Sequence, residues 1–180
     1  SAATSSRAMS STPLYGVVAL AAELQRSASD VLKPPSEIAP SRDEPVIYMA
    51  MVRGTRGYIV KVADQINGTY SKGWYDACAV MLRRLLETLI IECFETHKID
   101  GRIKDTNGNY LFLRDLVDAT LRESSWTLGR NVRAILPKLK DIGDKSAHSR
   151  RYNAHREDID KLSKDIRDTV QELVALARLK

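Results

Sequence analysis

The sequence predicts an all-α protein, an antiparallel helical bundle with an extra N-terminal helix carried on a proline-rich linker. Three observations predict it. Apolar residues recur at spacings of three and four through most of the chain, as one buried face of an α-helix requires. Glycine and proline are scarce, nine and six of 180 residues, so little interrupts such helices. No segment alternates with period two to give a strand a partner. With 43 % hydrophobic residues, a chain of this length buries one real core, and a single domain with an appendage is the natural division.

Residues 1–11 are mostly small and polar, without the apolar core of a secretory signal, and read as a disordered or expression-derived tail. Residues 12–33 form the N-terminal helix. Thr12 can cap it, Pro13 suits its first turn, and Leu14, Val17, Val18, Ala21, Leu24, Val31 and Leu32 make its apolar stripe. Residues 34–45 hold four prolines among polar residues, a linker composition. The bundle spans residues 46–180. Its lead-in, Val46 to Val52, reads as extended chain or a short helix.

Tyr58, Ile59, Val62, Ala63 and Ile66 mark a helix expected to fade at Asn67-Gly68. From Trp74 to His97 the apolar positions cover far more than a third of the helical circumference, so this segment is expected at the centre of the bundle. His97 ends it as a C-cap. Lys98 to Asn109 is a polar connection, either a small hairpin or an irregular loop. Leu111 to Leu121 gives the next helix. Trp126 to Ile142 gives another, in which Pro137 is expected to kink or restart the helix. Asn153 is the expected cap of a closing helix with Glu157 and Asp158 in its first turn.

Several classes of chemistry are excluded by pattern. There is no phosphate-cradling glycine loop, no His-Glu-x-x-His helix and no strand-turn-helix nucleophile elbow. Cys78 and Cys93 fall in one predicted helix about 22 Å apart along its axis, too far to pair and without metal-ligand spacing. They are expected to be buried thiols in a reducing, cytoplasmic setting. No apolar run is long enough for a membrane span, and no metal or cofactor is called for. The formal charge of +5 permits a polyanionic partner without requiring one.

Two sets of polar residues stand out. Arg83 and Glu87, four apart on the central helix, share a face. They read either as a surface ion pair or as a guanidinium aimed at an anion and held by its neighbour. The stretch from Lys140 to His155 carries two of the three histidines. Lys138 just before it and Lys140, Lys145, Arg150, Arg151 and His155 within it make either a phosphate-attracting patch or a solvated face paired to Asp141 and Asp144.

Arg83-Arg84-Leu85-Leu86-Glu87, followed later by Leu139-Lys140-Asp141-Ile142-Gly143-Asp144-Lys145-Ser146-Ala147-His148, resembles an uncharacterised bacterial helical family, domain of unknown function 4145. That family's pattern is Arg-x-x-Leu-Glu and then Leu-Arg-x-x-Gly-Asn-x-x-Ala-His, and it belongs to the HEPN superfamily. The resemblance runs from about Thr55 to the C-terminus. It implies a homodimer of helical bundles, cytoplasmic, acting in phage defence, toxin–antitoxin or stress systems. RNA or a nucleotide and a cognate antitoxin or operon partner are the implied partners. Active members are metal-independent endoribonucleases with an arginine-to-histidine motif. Here His148 takes the histidine position and Asp144 the polar one, with Arg83 and Glu87 completing the catalytic set. Gly143 stands where the arginine is expected. Lys140, Arg83, or a shifted register over Arg150 to His155 are the candidate substitutes for its charge. The alternative is a non-catalytic dimerisation or scaffold domain with a degenerate site.

Overall fold

In the computed structural model the chain divides into two compact units, Ser1–Glu37 and Ile38–Lys180, and the structure describes residues 18–24 of the first and 44–180 of the second. Residues 18–24 are helical, with Val18, Leu20 and Leu24 exposed. The tail, the rest of the predicted N-terminal helix and all but the last two positions of the linker lie outside the described residues.

The second unit is an all-helical bundle: α1 (Met49–Val52), α2 (Gly57–Ser71), α3 (Tyr75–Thr96), a 3-10 turn (Asp100–Ile103), α4 (Leu113–Arg122), α5 (Arg130–His148), α6 (Arg156–Asp160) and α7 (Ser163–Leu176). Helix α3 is the axis of the packing and touches α2, α4, α5 and α7. Its sequence explains why. Cys78, Ala79, Leu82, Leu85, Leu86, Leu89, Ile90, Cys93 and Phe94 are all buried, too wide an apolar arc for one neighbouring helix to cover. Both cysteines are free thiols in the core. Among the described residues no helix is long and apolar enough to cross a membrane.

The end of α3 is closed as expected. His97 is its C-cap, with Nδ1 at 2.9 Å from the Cys93 carbonyl and its ring edge-on to Trp126 at 5.0 Å. Lys98 then adopts φ 59°, and the Ile99 amide donates back to the Phe94 carbonyl at 3.0 Å, which satisfies the last turn.

Four local expectations are revised. Helix α2 runs through Asn67-Gly68 to Ser71. Asn67 spends its side chain on the lead-in, accepting from the Ile47 amide at 2.9 Å and donating to the Ile47 carbonyl at 2.8 Å. Buried Tyr70 anchors the last turn through its hydroxyl to Asp160. Helix α5 does not restart at Pro137 but runs through it, since buried Leu136 and Leu139 hold both sides of the missing donor against the core. The polar connection is neither hairpin nor wholly irregular but a 3-10 turn and one bridge, Lys104 to Tyr110. Asn153 does not cap the closing helix. The chain turns at α6, whose N-cap is His155, and Asp158 accepts from the His155 amide at 2.9 Å. The lead-in bends at Val46 and Ile47, is extended at Tyr48 and is helical from Met49. Arg167 of α7 pins it by donating to the Pro45 and Val46 carbonyls at 2.7 and 3.1 Å.

Candidate functional site

The sequence-predicted polar residues meet where α5 crosses α3, and Gly143 sets how closely they meet. It is buried against α3, and a Cβ at this position would lie 2.5 Å from Arg83 Cβ and 3.0 Å from the Ala79 carbonyl oxygen. Only a residue without a side chain lets the two backbones approach this far. Gly143 therefore has a packing reason of its own. An arginine here would have to enter space that Arg83 already fills.

The close approach brings Arg83 and Asp144 together. Arg83 Nε donates to Asp144 Oδ1 at 2.8 Å, and Arg83 Nη1 reaches Glu87 Oε2 at 3.3 Å. Lys140, one turn before Asp144, donates to its Oδ2 at 2.9 Å and lies equally close to Asp141 Oδ1. Burial works to raise the Asp144 carboxyl, but the hydrogen bonds from Lys140 and Arg83 outweigh it, and its pKa falls below the usual range. Lys140 is shifted upwards, first by Asp141 and then by Asp144. The Arg83 and Asp144 side chains are 24 % and 32 % exposed, so the pair is screened and worth about 1 kcal/mol.

The charge count decides what this cluster can do. Two cations, Arg83 and Lys140, face three carboxylates, Glu87, Asp141 and Asp144, leaving an excess negative charge. A phosphate gains nothing from approaching it in this arrangement. Arg83 and Glu87 fit both readings of their sequence in part: the pair forms, and the guanidinium is aimed at an anion, but that anion is Asp144 of the same chain.

His148 is four residues beyond Asp144, at the C-terminal end of α5 and on the same side of it. It is exposed and makes no hydrogen bond or ion pair with the described residues. Arg150 and Arg151 follow in an exposed turn, equally without carboxylate partners, and so does Lys145 in the last turn of α5. The turn is held against the start of α3, where Asp76 accepts from the Ala154 amide at 2.9 Å. His155 stands apart from these residues in role, as the cap of α6. The structure thus joins Arg83, Glu87, Asp144 and Lys140 in one ion-paired cluster. It leaves His148, Lys145, Arg150 and Arg151 as an open basic end.

A second grouping was not foreseen. On the face of α5 turned away from Arg83, Lys138 and Lys145 edge a cleft of about 330 Å³ completed by Tyr152, Asp158 and Lys161. Lys161 lies at the junction of α6 and α7, and no spacing rule relates it to α5. No group of three or more His, Cys, Asp or Glu suited to a metal ion occurs among the described residues. Comparison with family models, curated proteins and solved structures returns no match.

Proposed function

We propose that this chain is an HEPN-like module that engages RNA or a nucleotide in a bacterial defence or stress system. In this reading it works in the cytoplasm as a homodimer or beside a cognate antitoxin. One observation supports it most directly: the end of α5 and the following turn expose Lys145, His148, Arg150 and Arg151 with no carboxylate partner among the described residues. Unneutralised cations on one short segment are what a phosphate backbone requires, and a titratable imidazole among them is the group that proton transfer would use. As a metal-independent endoribonuclease, the protein would use His148 to take the proton of a ribose 2′-hydroxyl as that oxygen attacks the adjacent phosphorus, closing a 2′,3′-cyclic phosphate while the bond to the 5′-oxygen of the next nucleotide breaks and that oxygen takes a proton from water. The guanidinium of Arg150 or Arg151, not the tied Arg83, would carry the developing charge.

The charge excess of the Arg83 cluster favours a second reading, a non-catalytic dimerisation or scaffold domain in which Arg83, Glu87, Asp144 and Lys140 fix one helix crossing. Fluorescence anisotropy with single-stranded RNA at low and at physiological salt separates the two, run beside an RNA cleavage assay in chelator. The RNA-binding reading expects affinity that falls with salt and a slope reduced by about one for each of Arg150→Ala and Arg151→Ala. Cleavage lost in His148→Ala, with RNA binding kept, would identify the enzyme. No salt-sensitive binding, together with lowered thermal stability of Arg83→Ala, would overturn the RNA reading in favour of the scaffold.

A further inference from the structure

Within that reading, on which this step rests, we infer that the cleft of Lys138, Lys145 and Lys161 is a binding site for a phosphomonoester, the terminal phosphate of a mononucleotide. The basic residues of α5 do not act together. Lys138, Asp141, Ile142 and Lys145 are spaced three, four and seven apart and share one face, whereas Lys140 and Asp144 lie on another beside Arg83. Lys140 is consumed in its cluster. Lys138 and Lys145 have no ion-pair partner among the described residues. They stand two turns apart along α5, about 10 Å, and the cleft opens between them.

Lys161 closes the cleft from the α6–α7 junction. Its one ion pair among the described residues, to Glu157 at 3.6 Å, joins side chains that are 72 % and 81 % exposed, so it can be exchanged for a ligand at little cost. The cleft's two carboxylates are already engaged. Asp141 faces the Lys140 ammonium at 2.9 Å, and Asp158 accepts from the Tyr152 hydroxyl at 3.1 Å and from the His155 amide. Three lysines therefore line a space against two carboxylates, one of which, Asp141, is paired to a cation outside it, so the cleft carries a net positive charge.

The shape narrows the ligand. A volume of about 330 Å³ is at the small end for small-molecule sites, enough for a mononucleotide and too little for a folded polymer. Three ammonium groups suit the dianion of a phosphomonoester better than the single charge of each internal diester. The Tyr152 ring, fixed by its bond to Asp158, and the apolar Ile142 and Leu162 offer a surface to a base or sugar that inorganic phosphate cannot use.

Isothermal titration of the full chain with adenosine 5′-monophosphate tests the site, with inorganic phosphate and adenosine in separate arms and single-stranded RNA beside them. Saturable binding of the monophosphate, weaker binding of phosphate and none of adenosine are expected. Lys145→Gln and Lys161→Gln should each weaken the monophosphate about fivefold, while Lys61→Gln, an exposed residue of α2 outside the cleft, leaves it unchanged. All three lysines are exposed, so the variants keep the fold, checked by an unchanged thermal midpoint. Absence of saturable binding, or binding indifferent to the Lys145→Gln/Lys161→Gln pair, overturns the site. If RNA still binds through Arg150 and Arg151 in that case, the cleft alone has failed and the RNA reading stands. If the monophosphate binds and RNA does not, the cleft stands and the RNA reading is restricted to nucleotides.

Discussion

Replacing Gly143 by alanine should push α5 off α3. The added Cβ would sit 2.5 Å from Arg83 Cβ and 3.0 Å from the Ala79 carbonyl, and neither can yield by rotating a flexible end, since one is the root of a side chain and the other is backbone. Overpacking of this kind costs about 1–3 kcal/mol. Alanine returns part of it, about 1 kcal/mol, through its better helix propensity. The net expectation is a loss of up to about 2 kcal/mol, which for a body of this size lowers the thermal midpoint by up to about 8 °C.

Gly68 supplies the control. It lies inside α2 with nothing within 4 Å of an added Cβ, so Gly68→Ala should raise stability by about 0.5–1 kcal/mol. Calorimetric or circular-dichroism melts of both variants against wild type, with urea titrations to check that the m-value is unchanged, provide the comparison. A Gly143→Ala protein stabilised as much as Gly68→Ala would refute the close helix crossing and, with it, the explanation for glycine at this place. The same contact predicts that Gly143→Arg, which would supply the arginine of the superfamily's active arginine-to-histidine motif, unfolds the crossing instead of creating a nuclease.

Three further outcomes follow from individual sites. Glu123 accepts from Arg102, from the Ser125 amide and hydroxyl, and from the Ser124 amide, and these bonds hold its carboxyl at about 2. Because the folded pKa is depressed, its contribution is complete above its ordinary value near 4.5 and is lost as pH falls through about 2. The stability gap between wild type and Glu123→Gln, measured by urea unfolding, should therefore narrow over that interval and stay constant from pH 5 to 7. Burial pushes the Cys78 and Cys93 thiols up to about 12, so neither should be alkylated by iodoacetamide at pH 8 in the native protein, and both should react once urea unfolds it. Rapid native labelling at either would show that α3 is not the closed centre of the bundle. His148→Ala should leave stability within about 0.5 kcal/mol of wild type, because the imidazole is exposed and unpaired among the described residues. A larger loss in thermal melts would mean that the histidine supports the fold.

Much of the fold was legible because burial leaves a periodic trace. The width of the apolar arc from Trp74 to His97 marks α3 as central before any coordinate is known, and His97 is recognisable as a cap from its place at the end of that arc. Misread boundaries share a cause. Asn67-Gly68 and Pro137 are local stop signals, and both are overridden where side chains on either side are anchored elsewhere in the bundle, Tyr70 to Asp160 in one case and Leu136 and Leu139 to the core in the other.

The candidate site was legible only in its membership. Arg83, Glu87, Asp144 and Lys140 could be named from spacing and pattern, and pairing was one of two readings open for them, with nothing local to choose between the two. Ion pairing is a long-range property: Arg83 and Asp144 meet because Gly143 lets two helices touch, and that contact neutralises the very cations the sequence offered to an anion. Lys161 carried no signal at all, since nothing in the short α6 relates its position to Lys138 and Lys145.

By itself the sequence determined that this chain folds as helices around α3, because helical periodicity and the lack of breakers are local and additive. The tertiary structure alone decided which charges remain free. Neighbours on α5 separate onto different faces by the 100° turn per residue, and each face then meets a partner brought from sixty or more positions away on one side and about twenty on the other, a pairing that only the packed bundle defines.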